Sequence, residues 1–163
     1  MDKGIPCFGI CLGLQVMVKA LGGKVTTNPI KEIGWRDPDK NLFKVYLTEE
    51  GRKDPIFEGI ESEFEIFQLH GETVELTRQM KVLGTGKYCK NQIVKCGENA
   101  YGFQGHLELS YDMFNTWIQE DEDLKKIENS LLKADYGVVR KKYESTGNKI
   151  LKNFLKLSGH ELK

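Results

Sequence analysis

A single cysteine with a glycine two residues away on either side, Gly9-Ile10-Cys11-Leu12-Gly13, joins two contrasting stretches of this chain. The run before it, Ile5-Pro6-Cys7-Phe8-Gly9-Ile10, has the apolar character of a buried strand, and the run Leu14–Leu21 has the spacing of a helix. A cysteine at a sharp strand-to-helix turn is the geometry of a nucleophile elbow, with sulfur in place of a serine hydroxyl. Gly9 and Gly13 are expected to remove Cβ atoms that would collide in so tight a turn. The helix beginning there directs its free N–H groups and the positive end of its dipole at the thiol, an arrangement that favours thiolate. Cys11 is therefore the candidate nucleophile.

The rest of the composition limits what such a site can serve. The 24 basic and 24 acidic side chains cancel, and no basic stripe with interleaved aromatics is present, so neither nucleic acid nor a membrane surface is the expected partner. No apolar run approaches the roughly 20 residues of a membrane span, and the N-terminus carries no signal-peptide pattern. A cytoplasmic protein acting on a small polar substrate is the expectation. The 163 residues suffice for one domain with a core, and no Pro- or Ser-rich linker divides them. Cys7, Cys11, Cys89 and Cys96 form no CxxC pair and no zinc-ligand spacing, so free thiols are expected and no metal site. Cys7 and Cys96 read as core residues and Cys89 as a surface thiol.

After the first helix, Gly22-Gly23 is a stop signal. Lys24–Asn28 and Glu32–Trp35 read as short strands separated by Pro29, and Leu42–Leu47 alternates as a half-exposed strand does. Pro55–Ile60 reads as a short turn-helix connection and Glu63–Leu69 as another strand, running into a polar loop at His70-Gly71-Glu72. Val82–Thr85, Gln92–Cys96 and Ala100–Gln104 read as three further strands, the last two joined by a turn at Gly97-Glu98-Asn99. Beyond Glu108 the chain reads as helical: Tyr111–Gln119, with Met113, Phe114, Trp117 and Ile118 on one face, then Leu124–Lys133 and Ile150–Leu157. Trp35 reads as core or pocket wall.

His106 and Glu108 follow the last strand two residues apart, a spacing that in extended chain puts both side chains on one face. Glu108 can then accept from one ring nitrogen of His106, fixing its tautomer and leaving the other nitrogen to take the thiol proton. Cys11, His106 and Glu108 are thus a candidate triad. Attack on a carboxamide carbonyl gives a thioester and ammonia, and water completes hydrolysis. The backbone N–H of Leu12, directly after the nucleophile, is the candidate oxyanion donor.

With these motifs the chain resembles the class I glutamine amidotransferases, in particular the GMP-synthase-like subgroup. The segments that carry the likeness are Pro6–Gln15, Ala20–Val25, Glu32-Ile33-Gly34-Trp35, Gln68–Glu72 and Asn99–Gln104 leading into the histidine motif, with Trp117 and Lys152–Leu155 in the C-terminal helices. The resemblance implies an α/β, flavodoxin-like three-layer fold with a mixed sheet and a C-terminal helical extension over 111–163. It implies hydrolysis of the glutamine side-chain amide, with Gln15 and the loop of His70, Gly71 and Glu72 holding the substrate. It implies no metal or organic cofactor, and as partners an ammonia-accepting synthetase subunit, a homo-oligomer, or a chain completing the sheet. Two features differ from the family pattern. The histidine motif reads Gly105-His106-Leu107-Glu108 where phenylalanine-histidine-proline-glutamate is common, and the family's βα units before the nucleophile strand, with their second oxyanion donor, have no counterpart here. Hydrolysis of another γ-glutamyl amide, and a non-catalytic regulatory role on the same fold, are the alternative readings.

Overall fold

The computed structural model describes residues 4–160. Eight strands and four α-helices follow in chain order: β1 Cys7–Ile10, α1 Leu12–Ala20, β2 Lys24–Gly34, β3 Lys44–Leu47, α2 Glu49–Lys53, β4 Glu63–Glu65, β5 Gln68–Glu75, β6 Met80–Thr85, β7 Ile93–Cys96, β8 Ala100–Phe103, α3 Tyr111–Glu120 and α4 Asn129–Leu157. Six strands form one mixed sheet in the order β1-β8-β7-β6-β3-β4, and β2 and β5 form a separate antiparallel ribbon. Among the described residues only β1 and β8 run parallel; the other pairs are antiparallel.

Alternation along β7 and β8 explains the layering. Val94, Cys96 and Ala100 pack with Leu14, Met17 and Val18 of α1 and Val74 of the ribbon. Their neighbours Ile93, Tyr101 and Phe103 point the other way and pack with Ile150 and Phe154 of α4. The sheet is therefore covered by α1 and the ribbon on one face and by α4 on the other, the three-layer arrangement expected. A third cluster, Trp35, Phe67, Phe114, Tyr136 and Tyr143 among its members, fills the space between the ribbon, α3 and the first half of α4, so Trp35 is core.

Several elements depart from the sequence expectation. The two short strands around Pro29 are one strand, because the register shift between Thr27 and Glu32 absorbs the proline as a bulge. Glu63–Leu69 is divided between two sheets, and His70-Gly71-Glu72 lies inside β5 rather than in a loop. α2 was not expected; Thr48 caps it by accepting from Gly51 N at 3.0 Å. The two separate C-terminal helices are one continuous α4, whose 29 residues run through Gly137 and Gly147. Gly147 is there for contact: a Cβ would sit 2.1 Å from the Leu107 carbonyl oxygen. Cys89 is buried and Cys7 half-exposed, the reverse of expectation, because β1 is an edge strand and the loop after β6 folds inward. Among the described residues no helix is long and apolar enough to cross a membrane.

Candidate active site

β1, parallel to β8 in register Gly9↔Gly102 and Ile10↔Phe103, carries Cys11 to the sheet's end. There Cys11 N donates to Phe103 O at 2.7 Å. α1 starts at once, and Cys11 itself takes φ 50° and ψ −103°. A non-glycine residue held in such a conformation costs on the order of 1–3 kcal/mol and persists only where its surroundings over-determine it. Gly9 is one of those surroundings: a Cβ there would lie 2.7 Å from the backbone carbon of Gly13 and 2.6 Å from Met17 Cε. Gly13, expected to serve the same purpose, has open space where its Cβ would be. The turn thus depends on Gly9 and on Cys11's own strain. The first-turn amides, Leu12 among them, have no intrahelical acceptor.

His106 enters from the other side. Its backbone forms an isolated bridge with Phe67, donating to Phe67 O at 2.7 Å and accepting from Phe67 N at 3.2 Å. Tyr143 of α4 donates its hydroxyl to the same His106 carbonyl at 3.0 Å and accepts from Leu109 N at 3.2 Å. Burial pushes the Tyr143 phenol far up its scale, so it remains a donor. The imidazole lies edge-on to Trp117, with ring centroids 4.8 Å apart.

Glu108 Oε1 lies 2.7 Å from His106 Nδ1, and its Oε2 accepts from Leu107 N at 2.9 Å. Both carboxylate oxygens are thus engaged, which fixes the carboxylate plane against the ring. Burial is the largest influence on His106 and pulls its pKa down, but hydrogen bonds to Cys11 and Glu108, with their charges, outweigh it and raise the pKa to about 9. His106 and Glu108 are paired, as their two-residue spacing predicted, and Cys11 lies beside the same imidazole.

Gln15 lies one turn into α1, largely buried, with its N–H donating to Cys11 O at 3.2 Å. His70 does not join this group through its side chain. Its Nδ1 faces Glu72 O at 2.9 Å, and its Nε2 faces Glu32 Oε2 at 3.0 Å and Gln68 Oε1 at 3.1 Å. Glu32 is its cross-strand partner in the ribbon, and both side chains are buried. Gly71 is half-exposed and Glu72 exposed. The donor atoms of Glu32, His70 and Cys89 lie within 4.8 Å of one another. Each is already engaged, since Gln92 Nε2 donates to Glu32 at 3.0 Å and Cys89 Sγ pairs with Thr73 Oγ1 at 3.3 Å. Burial pushes the Cys89 thiol up to about 11, so this sulfur is an inert core group.

Sequence reasoning missed Gln104, whose Nε2 lies 3.7 Å from Cys11 Sγ, and missed Tyr143. An uncharged amide directly after a fully buried four-residue strand was the available signal for the first; Tyr143 left none. A groove of about 650 Å³ lined by Phe8, Ile10, Leu107, Glu108 and Arg140 opens between Glu108 and α4, and neither Cys11 nor His106 lines it.

A cysteine at a strained strand-helix turn, beside a histidine-carboxylate pair on an α/β sheet, is the arrangement that thiol-nucleophile chemistry requires. The comparisons with known proteins narrow the class. The glutamine amidotransferase class-I family profile matches residues 1–125, and the chain belongs to that family. It is 35% identical over 114 residues to YfeJ of Salmonella typhimurium, a glutamine amidotransferase-like protein, covering 70% of this chain and 45% of that one. It is 33% identical over 112 residues to a glutamine-hydrolysing GMP synthase of Clostridium botulinum, covering 68% of this chain and 20% of the synthase. The solved structure of a Thermotoga maritima glutamine amidotransferase superposes with a TM-score of 0.78 at 28% identity, covering 98% of this chain and 65% of that one. The chain thus spans less than two thirds of each of these relatives.

Proposed function

We propose that this chain hydrolyses the side-chain amide of glutamine to glutamate and ammonia through a thioester on Cys11. The observation that carries the reading is the combination of Cys11 at φ 50° with an imidazole braced by Glu108 at 2.7 Å. In the first half-reaction His106 holds the proton released from the Cys11 thiol, and the sulfur attacks the amide carbon. The resulting oxyanion accepts a hydrogen bond from Leu12 N–H. Collapse breaks the C–N bond, and His106 delivers its proton to the departing nitrogen, which leaves as ammonia. In the second half-reaction His106 takes a proton from water, hydroxide adds to the thioester carbon, and the C–S bond breaks to release glutamate. A histidine raised to about 9 suits the first half, where a protonated acid must be ready for a poor leaving group.

Gln15 and the backbone of His70, Gly71 and Glu72 form the substrate-holding set in this reading, with the buried Glu32–His70 pair holding the backbone of β5 at that point. The matched GMP synthases support a synthetase as the acceptor of the ammonia. β1 is paired on one side only among the described residues, and further strands added at its outer edge would complete a single amidotransferase domain. The test is ammonia release from glutamine by the chain, with Cys11→Ala in parallel. Release that disappears in the variant supports the assignment, and equal rates in both refute it.

A further inference from the structure

We propose that Gln104 is a further catalytic residue, its side-chain amide donating an N–H to the Cys11 sulfur and stabilising it as thiolate. This rests on the reading of Cys11 as the nucleophile.

Gln104 Nε2 lies 3.7 Å from Cys11 Sγ. The side chain is fully buried, and its Oε1 has no partner. Burying an amide costs free energy unless its hydrogen bonds are replaced, and the one side-chain bond Gln104 makes among the described residues is to this sulfur. With the amide turned over, Oε1 would face the sulfur and repel a thiolate. The backbone holds the side chain in place: Gln104 N donates to Gln92 O at 2.8 Å, while the preceding Phe103 O receives Cys11 N at 2.7 Å. Two consecutive residues of one segment therefore grip Cys11, Phe103 by its backbone and Gln104 by its sulfur.

The chemistry gives the contact a direction. A neutral thiol is a weak acceptor, whereas a charged sulfur accepts roughly twice as strongly as a neutral group. The bond strengthens as Cys11 ionises, slackens when the sulfur is tied up as thioester, and is regained when the C–S bond breaks. It therefore favours both the attacking form and the leaving form of the same atom. His106, backed by Glu108, is the titratable partner facing Cys11. The first turn of α1 brings no acidic group, and its basic residue, Lys19, lies in the last turn. Gln104 is then the uncharged donor that stabilises negative sulfur whatever the state of the histidine.

The test is the pH profile of Cys11 alkylation by iodoacetamide, read by mass spectrometry of the Cys11 peptide on the full chain. Gln104→Met keeps the bulk and removes the donor; Gln104→Glu keeps the shape and places an oxygen at the sulfur. The profile of Gln104→Met is expected to move up by about one pH unit, or about tenfold slower alkylation at a fixed pH below the midpoint; Gln104→Glu moves it further. Wild-type profiles in both variants, with circular dichroism showing them folded, overturn the proposal. If neither variant folds, the Gln104 side-chain amide protons in the wild-type chain provide the readout by NMR. They should shift along with Cys11 ionisation and stay flat in Cys11→Ala; a flat trace in wild type overturns the proposal. His106→Ala separates the two levels. A displaced profile in that variant beside unmoved Gln104 variants removes Gln104 and leaves the nucleophile, while an unmoved His106→Ala profile removes both.

Discussion

Replacing Glu108 by Gln tests how the triad is held. The carboxylate does two things in the structure, accepting from His106 Nδ1 at 2.7 Å and from Leu107 N at 2.9 Å. A glutamine can satisfy one of these with its oxygen, and its NH2 must then face a donor. If the oxygen stays with Leu107, the NH2 forces the imidazole into the wrong tautomer; if it turns to the ring, a buried backbone N–H loses its acceptor at a cost of about 1–3 kcal/mol. The charge is lost in either case. His106 stands at about 9 rather than 6.5 because Cys11 and Glu108 together overcome burial. Removing one of the two lets desolvation act and lowers the value, each unit being about 1.4 kcal/mol of lost imidazolium stabilisation. The sign follows: the histidine gives up its proton at lower pH, so the alkaline limb of ammonia release moves towards acid. A tautomer fault of this kind costs up to about 10⁴ in kcat in a related triad, and a fall of about 10² to 10⁴ is expected here. Steady-state ammonia release from pH 5 to 10, with the His106 ring followed by NMR over the same range, reads both effects. An alkaline limb and a ring titration that stay where they are in wild type would refute the reasoning.

Three further outcomes follow from particular contacts. Gly147→Ala should destabilise the fold, because its Cβ would stand 2.1 Å from the Leu107 oxygen, whereas Gly137→Ala, with open space around it, should stabilise α4 by up to about 1 kcal/mol; opposite shifts in thermal midpoint are the check. Tyr143→Phe removes the hydroxyl that bridges His106 O and Leu109 N, and should cost about 1–3 kcal/mol in urea unfolding and lower kcat more than it changes KM. His106 is raised above its ordinary value, so the stability it contributes is fully present below about pH 6.5 and lost as pH rises through about 9. The difference in thermal midpoint between wild type and His106→Asn should therefore shrink between pH 7 and 10.

The parts of the site that sequence made legible are those set by short-range geometry. Cys11 declares itself because a strand, a turn and a helix meet within a dozen residues, and His106 and Glu108 because two residues in extended chain share a face. The reasoning erred where long-range packing decides. Gly13 was credited with relieving a clash that only Gly9 relieves. Gly147, a helix breaker by propensity, lies inside α4 because the backbone at Leu107 presses against it. His70 was read as a loop residue because glycine and two polar side chains cluster there. Its imidazole is inside the ribbon because Glu32, 38 positions earlier in the chain, supplies a buried polar partner across the strands. Tyr143 reaches the His106 carbonyl from 37 residues away, and no local pattern in the sequence marks it.

The central claim is that Cys11 is an activated nucleophile shaped for glutamine. The most direct measurement is labelling of the chain with a glutamine-like chloroketone, mapped by peptide mass spectrometry with and without free glutamine. The account predicts a single adduct on Cys11, slowed by glutamine and lost in His106→Ala. Adducts spread over Cys7 and Cys11 alike, indifferent to glutamine and to His106, would contradict it.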